Sequence, residues 1–386
     1  MVQAYLCVEI NIYLCIAVIN AIRLLNLLFY DNYMKTRYIL PSRISSLAKL
    51  DHLLHTEKFV GAKKFIIVDE NTYTHCLPQL IGRVSALEEA EFFEVPVGEE
   101  AKSLEIAAQL WGALMDSGAD RNSLILNLGG GCVSDIGGFV AAGFKRGIRY
   151  INIPTSLIGM VDAAIGGKTA VNVNNTKNQV GFFHQPEAVC IFPLFLNTLS
   201  ELDLECGIFE MAKTLLLSDA HTFEKLISVV NGCSRFPMND ITAFVSQCVD
   251  FKSSVVAADP KELSVRKILN FGHTFGHAIE SFMMDRGLPM PHGAAVGVGM
   301  KCELYLSVKK LGMSIKVYED FCRMLHHLVT VPKFSLRDTE GILSYMRQDK
   351  KNQDNLILCV LLQALGVPVI DVALNENEIR DALLHT

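Results

Sequence analysis

The feature that most constrains the fold is an apolar run that leads directly into three glycines. Residues 123–128 have the length and composition of a buried strand, Gly129-Gly130-Gly131 follows, and an amphipathic segment continues to about Lys145. Other short apolar runs, at 64–69, 91–96 and 150–153, alternate with helical patterns. Strands that alternate with helices predict a parallel sheet covered by helices.

The second half of the chain has a different pattern. Long helical periodicities cover 203–217, 238–257, 266–285 and 292–311. Two short apolar runs, at 356–362 and 367–372, predict a small hairpin or edge strands, and Asn375 begins a last helix. We therefore predict an α/β domain over residues 34–198 and a mainly helical domain over residues 199–386.

Residues 1–33 form an apolar N-terminal extension of unclear role. Polar side chains such as Glu9 and Arg23 interrupt it, which makes the run marginal as a membrane-spanning helix. It also lacks the basic start and small-residue cleavage site of a secretory signal. We interpret it as lying outside the working part of the protein and expect no stable membrane association of the remainder.

The composition excludes several classes of protein. Half of the 386 residues are hydrophobic and a fifth are charged, as in well-buried globular domains. A net charge of −6 without a basic run argues against nucleic-acid binding, although a local cationic pocket could still bind a small anion. Eleven cysteines without a Cys-x-x-Cys motif predict buried thiols in a reducing cytoplasm.

Histidines carry the clearest chemical signal. If 266–285 is one helix, His273 and His277 lie one turn apart on one face, and Arg266 and Asn270 precede them on nearly the same face. His292 follows in a Pro-His-Gly sequence. Three imidazoles predict a metal or proton-transfer site, and surface or capping histidines are the alternative.

Two glycine-containing stretches are candidates for binding anions. The glycine turn at 129–131 ends a strand and begins a helix, where phosphates of a dinucleotide often bind, but it is not Gly-x-Gly-x-x-Gly and a plain tight turn remains an alternative. Gly166-Gly167-Lys168-Thr169, with Asp162 before it and Lys177-Asn178 after it, is typical of a loop that binds an anion.

Glu210 and Lys213 are one helical turn apart among apolar residues. A surface ion pair is one interpretation. If this face is buried, the carboxylate needs a partner, and a metal ion would serve.

In this order and spacing, the motifs resemble the 3-dehydroquinate synthase family over about residues 60–370. They are Gly129-Gly130-Gly131 with Asp135, Ile165-Gly166-Gly167-Lys168-Thr169, Lys177-Asn178, Glu210-Met211-Ala212-Lys213, the stretch from Asn270 to His277, and His292-Gly293. The resemblance implies conversion of 3-deoxy-D-arabino-heptulosonate 7-phosphate to 3-dehydroquinate and phosphate in the shikimate pathway of aromatic amino acid biosynthesis. It implies NAD that is recycled within each turnover and a divalent metal, zinc or cobalt. The fold would combine an N-terminal Rossmann-like NAD-binding domain with a C-terminal helical metal-binding domain, and the active site would lie in the cleft between them.

The resemblance also implies roles for residues at the matched motif positions. The metal ligands would be Glu210, His273 and His292. The catalytic residues would be His277 and Glu262, as proton-transfer groups, together with Lys168 and Asp162. The substrate contacts would be Arg146, Asp162, Lys168, Asn178, Lys213, Lys252, Arg266, Asn270, His277 and Lys350. The NAD contacts would be Asp69, Asn71, Glu99, Lys102, Gly129, Gly130, Gly131, Asp135, Thr155, Ser156, Lys177, Phe195 and Thr198. Arg146 matches an arginine that reaches the phosphate in the neighbouring subunit, which implies a homodimer.

Four positions depart from the family pattern, namely Ala170, Cys206, Pro260 and Ala294. They affect loop geometry and rate, and none removes a proposed catalytic group. The alternative functions are another sugar phosphate cyclase, a metal-dependent polyol dehydrogenase of the glycerol dehydrogenase type, and an inactive homologue that acts as a binding protein.

Overall fold

The computed structural model describes residues 37–39, 47–173, 176–232, 237–347 and 356–386. The apolar extension at 1–33 and the candidate substrate residue Lys350 lie outside the described residues. The chain divides into two compact units, with the boundary between Leu204 and Glu205. Among the helices that are described, none has both the length and the hydropathy that crossing a membrane requires.

The first unit contains a parallel sheet, as the sequence predicts. The strands of this unit are β1 (Arg37–Ile39), β2 (Lys64–Asp69), β3 (Glu91–Val95), β4 (Leu124–Gly129), β5 (Arg149–Pro154), β6 (Lys168–Val173), β7 (Thr176–Phe183) and β8 (Ala188–Cys190). In the described residues the sheet has six strands in the order β1-β8-β5-β4-β2-β3, and every pairing is parallel. All six residues of β4 are buried, as expected for a central strand covered on both faces.

Helices connect and cover these strands. They are α1 (Leu47–Leu54), α2 (Glu70–His75), α3 (Leu77–Ile81), α4 (Leu104–Asp116) and α5 (Gly131–Gly143). Ser103 caps α4 by accepting a hydrogen bond from the backbone N–H of Ile106. Because β4, β5 and β2 are adjacent and parallel, their carboxyl ends lie at one edge of the sheet, where the glycine turn begins α5.

The hairpin of β6 and β7 differs from the sequence-based interpretation of this stretch as a loop. The two strands are antiparallel, and Lys168 is opposite Phe183. Packing against α5 accounts for the difference, because Val171 belongs to the hydrophobic core of this unit. Thr169 lies so close to α5 that a Cβ at Gly138 would be 2.6 Å from its Cγ2.

The second unit is mainly helical, as predicted. Its elements are α6 (Glu201–Ser218), α7 (Ala220–Gly232), α8 (Met238–Ala258), α9 (His273–Asp285), α10 (His292–Leu311), α11 (Ile315–Leu328), α12 (Leu336–Arg347), β9 (Ile357–Ala364), β10 (Val367–Leu374) and α13 (Glu376–Leu384). Every residue of α10 from Gly293 to Ser307 is buried, so this helix is central to the unit. β9 and β10 form the predicted antiparallel hairpin, and Asn375 and Glu378 cap α13 reciprocally.

The predicted helix over 266–285 is wrong in its first part. Val265–Asn270 is a 3-10 segment, Gly272 has a left-handed backbone with φ of 79°, and α9 begins only at His273. A Cβ at Gly272 would lie 2.4 Å from the Met300 side chain and 3.0 Å from the Val296 carbonyl oxygen on α10. This close approach, in a conformation that glycine adopts readily, separates Arg266 and Asn270 from the helix that carries His273 and His277.

Candidate active site

The structure brings three candidate histidines of the helical unit together. His273 is the first residue of α9, His277 lies one turn later, and His292 is the first residue of α10. Their ring centroids are 5.1 Å (His273 to His277), 5.7 Å (His273 to His292) and 5.6 Å (His277 to His292) apart. One nitrogen from each ring lies within 4.8 Å of the others, which is close enough for shared ligation of a metal ion.

Glu210 brings a carboxylate to this histidine cluster from α6. Its side chain is fully buried, and Oε1 lies 3.6 Å from Nε2 of His273 and 3.6 Å from Nε2 of His292. Oε1 has no hydrogen-bond partner among the described residues, whereas Oε2 lies 2.7 Å from Nζ of Lys213. Tetrahedral ligands about 2.1 Å from zinc lie about 3.4 Å from one another, so these distances fit an ion at the centre.

The other nitrogen of each of these two rings has a hydrogen-bond partner. Nδ1 of His273 lies 3.1 Å from the carbonyl oxygen of Phe271, and Nδ1 of His292 lies 3.0 Å from Oε2 of Glu280. With the proton on Nδ1, each ring donates to these oxygens and presents the lone pair of Nε2 towards Glu210. Neutral imidazoles in this tautomer and a carboxylate form a typical ligand set for zinc.

Opposite charges within the cluster alter two pKa values. Burial raises the pKa of the Glu210 carboxyl, but Lys213, His273 and His292 together hold it well below its usual value. Burial lowers the pKa of His292, but the nearby carboxylate of Glu210 and the hydrogen-bonded carboxylate of Glu280 raise that pKa to about 10. The cluster therefore stabilises an ionised Glu210, which is the state that binds a cation.

A loop of the helical unit carries further candidate residues. The carboxylate of Asp259 accepts hydrogen bonds from the backbone N–H groups of Leu263, Ser264 and Arg266. The guanidinium of Arg266 donates to the carbonyl oxygen of Pro260 at 2.8 Å. Nδ2 of Asn270 donates to Oε1 of Glu262 at 2.7 Å. This loop thus holds the candidate base Glu262 next to Asn270, and the nearby candidate Lys252 is buried on α8.

In the α/β unit, the glycine turn packs closely against neighbouring segments at the carboxyl edge of the sheet. The backbone N–H of Thr155, just after β5, donates to the Gly129 carbonyl oxygen at 3.0 Å. A Cβ at Gly130 would lie 3.2 Å from Oγ of Ser156, and one at Gly131 would lie 3.1 Å from Cβ of Ala163. The turn therefore exposes backbone rather than side chains at the start of α5, as a site for a pyrophosphate requires.

Lys102 joins several candidate residues of the α/β unit. Its buried ammonium lies 2.8 Å from Oδ2 of Asp135, donates to Oδ1 of Asn178 at 2.5 Å, and lies 3.8 Å from Glu99. Burial lowers the pKa of Lys102, but Asp135 and Glu99 reverse this and raise it. Three candidate NAD residues and one candidate substrate residue thus form one polar network, and Asn172 extends it by donating to Glu99 at 2.7 Å.

The remaining candidates in the α/β unit lie at strand ends and turns. Asp69 ends β2 and caps α2, which Asn71 continues. Asp162 lies in a π-helical turn, Lys168 begins β6, Lys177 lies on β7, and Oγ1 of Thr198 donates to the Phe195 carbonyl oxygen at 2.7 Å.

Backbone strain coincides with candidate site residues. In the described part of the chain, the non-glycine residues with positive φ are Lys145, Arg146, Asn178, Glu262 and Asp371. Three of these five, Arg146, Asn178 and Glu262, are candidates for the substrate or for catalysis. Strained residues cluster at functional sites because the surrounding structure must hold them in place.

The sequence pattern predicted no role for three carboxylates of the helical unit. Glu280 bonds His292, Asp259 bonds three backbone N–H groups, and Glu303 on α10 accepts from the backbone N–H of Gly272 at 2.6 Å. The spacing of Glu280 from His273, seven residues on one helix face, is a signal that could have identified it. Nothing in the local sequence indicates the partner of Glu303.

Comparison with known proteins gives a consistent family. Two family models match in succession, 3-dehydroquinate synthase N-terminal over residues 92–206 and 3-dehydroquinate synthase C-terminal over residues 207–352. The 3-dehydroquinate synthase of Parabacteroides distasonis is 38% identical over 324 residues, which cover 84% of this chain and 90% of that protein. The 3-dehydroquinate synthase of Clostridium tetani is 34% identical over 323 residues, which cover 84% of this chain and 85% of that protein.

Solved structures with the same fold include cyclases and dehydrogenases. A 2-epi-5-epi-valiolone synthase from Streptomyces hygroscopicus, with NAD+ and Zn2+ bound, has a TM-score of 0.78 at 25% identity and covers 92% of this chain and 97% of that chain. An iron-containing alcohol dehydrogenase from Thermotoga maritima has a TM-score of 0.62 at 14% identity, over 91% of this chain and 98% of that chain, and indicates the fold alone. Cyclases and dehydrogenases share the fold, whereas both family models and the relatives above 30% identity agree on one family. This chain belongs to the 3-dehydroquinate synthase family.

Proposed function

We propose that the protein converts 3-deoxy-D-arabino-heptulosonate 7-phosphate to 3-dehydroquinate and phosphate. The chain is an enzyme of a family of phosphate-eliminating carbon–oxygen lyases that serve aromatic amino acid biosynthesis. The observation that best supports this activity is the buried Oε1 of Glu210, which lies 3.6 Å from Nε2 of both His273 and His292. A carboxylate in that position fits a divalent cation better than it fits any purely structural role.

We assign the metal to Glu210, His273 and His292, and NAD to the glycine turn and the residues around Lys102. The carboxylate and the two imidazole nitrogens fit zinc or cobalt in type, number and separation. The glycine turn fits a pyrophosphate because Gly130 and Gly131, packed closely against Ser156 and Ala163, present backbone N–H groups without side chains at the start of α5. When bound, the metal would polarise the hydroxyl group that is oxidised, and NAD would supply a reversible acceptor for its hydride.

The other side chains of the helical unit bind the substrate and move protons. Lys213, Lys252 and Arg266 supply positive charge for substrate oxygens, and Asn270 supplies an amide. His277, in the same cluster as the metal ligands, is suited to receive the proton of the oxidised hydroxyl group. Glu262, oriented by its hydrogen bond from Asn270, is a second proton acceptor.

In the α/β unit, Arg146, Asp162, Lys168 and Asn178 are the proposed substrate contacts. Lys168 and Arg146 carry the charges that a phosphate group requires, and Asp162 can accept a hydrogen bond from a substrate hydroxyl.

Oxidation of the substrate creates a carbonyl group that acidifies the neighbouring C–H, so phosphate can leave by elimination. Reduction of that carbonyl would restore the alcohol, and the released enol would close the ring by an aldol step.

Product analysis tests this proposal directly. The full chain is incubated with the heptulosonate phosphate, catalytic NAD and zinc, and the products are identified by mass spectrometry with an assay of inorganic phosphate. We expect 3-dehydroquinate and phosphate in equal amounts without accumulation of NADH. Phosphate release from sedoheptulose 7-phosphate alone would instead favour another sugar phosphate cyclase, and steady accumulation of NADH with polyols would favour a dehydrogenase.

We further propose that the enzyme is a cytoplasmic homodimer in which Arg146 serves the site of the neighbouring subunit. Arg146 has a φ of 70° next to Lys145 at 48°, so the chain holds this side chain in an unusual position. Arg146→Ala and His277→Ala should each retain only a small fraction of the wild-type activity as pure dimers. A mixed dimer should recover up to half of the activity of a wild-type dimer, because one of its two sites is then intact. No recovery on mixing would contradict the shared site.

A further inference from the structure

We propose that Glu280 positions His292 for the metal and thereby sets the metal affinity of the enzyme. This inference rests on the metal site of the proposed function and assigns a role to a residue outside it. Oε2 of Glu280 accepts the Nδ1–H of His292 at 3.0 Å, and the Glu280 side chain is only 8% exposed.

The helix geometry explains why Glu280 can hold this ring. Glu280 lies seven residues after His273 and three after His277, so it projects from the face of α9 that carries both histidines. His292 is the first residue of α10, where the helix backbone fixes its Cα but leaves the ring free to rotate about two side-chain torsions. The hydrogen bond to Glu280 selects one orientation, in which Nε2 lies 3.6 Å from Oε1 of Glu210.

His273 provides the comparison within the same site. Its Nδ1 lies 3.1 Å from the carbonyl oxygen of Phe271, two residues earlier in the chain, so backbone holds this ring in position. At His292, the partner of Nδ1 is the side chain of Glu280 instead of a backbone carbonyl oxygen. The orientation and tautomer of His292 therefore depend on one replaceable carboxylate, and those of His273 do not.

Zinc affinity measured by competition with a chromophoric chelator tests the role of Glu280. Glu280→Leu, which keeps the volume and removes the acceptor, should raise the zinc dissociation constant by about 10- to 100-fold. Glu280→Gln keeps an oxygen that can accept the Nδ1–H, and it should recover most of this loss. Asp285→Ala removes an exposed carboxylate from the same helix, which bonds Tyr345, and should leave zinc affinity unchanged.

A structural role makes different predictions. If Glu280 serves only folding, both Glu280 variants should lower the melting temperature of the metal-free protein and retain the wild-type affinity once folded. A dissociation constant for Glu280→Leu within twofold of the wild type would overturn the inference and leave the metal site intact. If the wild type and His292→Ala bind zinc equally weakly, the metal site of the proposed function fails as well.

Discussion

The candidate sites in the two units of the molecule are formed by different kinds of groups. In the helical unit, the site consists of buried charged and ionisable side chains, such as Glu210, Lys213 and His273, brought together from separate segments. In the α/β unit, the glycine turn at the end of β4 can pack closely against Ser156 and Ala163 because Gly130 and Gly131 have no side chains. The first site should therefore be sensitive to the loss of functional groups and to pH, and the second to the addition of atoms.

The largest expected effect separates the roles of two histidines in the helical unit. His292→Ala should lose the metal, and with it activity by about 10⁴-fold, because polarisation of the reacting hydroxyl contributes several kcal/mol. His277→Ala should retain the metal and lose activity by about 100-fold, as expected for a proton-transfer group. Metal analysis of both purified variants beside their rates is the measurement. Equal metal content and full activity in both would refute the assignment.

The next effect is the pH dependence of zinc binding to the helical unit. The pKa of His292 is raised to about 10 by Glu210 and Glu280, so the metal-free ring is protonated near neutral pH and zinc must displace that proton. Zinc affinity should therefore rise by about tenfold per pH unit up to that pKa, with release of about one proton per ion. Calorimetry in buffers of different ionisation enthalpy measures the proton, and Glu280→Leu should reduce its release.

The same pKa shift determines how pH acts on the metal-free protein. A raised pKa in the folded state stabilises it fully below the unfolded pKa of about 6.5. This contribution is lost as the pH rises to about 10, so the melting temperature should fall across that interval and zinc should oppose the fall. A melting temperature that rises over the same interval would contradict this prediction.

The smallest effect concerns the glycine turn of the α/β unit. Gly130→Ala adds a methyl group 3.2 Å from Oγ of Ser156, so it should weaken NAD binding by about tenfold and leave zinc affinity unchanged. Gly112→Ala is the matched control, since a Cβ on that part of α4 meets nothing within 4 Å. It should leave NAD affinity unchanged and raise the free energy of unfolding by up to about 1 kcal/mol. Equal NAD affinity in both variants would show that the turn does not face the cofactor.

The sequence predicted those elements whose causes are local. The strands at 64–69 and 123–128, the helix at 292–311 and the cap at Asn375 follow from periodicity and capping residues close in sequence. The hairpin of β6 and β7 was missed because Val171 is buried by packing against the rest of the core. The break at Gly272 was missed because Met300 and Val296, which impose it, are far away in sequence.

The candidate site was predictable only in part for a similar reason. Helical spacing groups His273 with His277, and His292 follows in a Pro-His-Gly sequence. The structure places these three rings together, but the choice of Glu210 as a ligand came from the family resemblance. Residue spacing does not distinguish His277 as a ligand from His277 as a base, so that assignment remains a prediction. Glu280 and Glu303 are defined by contacts between helices, which no local pattern reveals.

The left-handed turn at Gly272 has an electrostatic consequence. Because α9 begins only after this turn, His273 is the first residue of its helix, as His292 is of α10. The N-terminal ends of both helix dipoles therefore lie next to the histidine cluster, and each is equivalent to about half a positive charge. They favour negative charge at this point, and an ion held by Glu210 would add to this effect, so a hydroxyl group bound there should ionise more readily than it does in water.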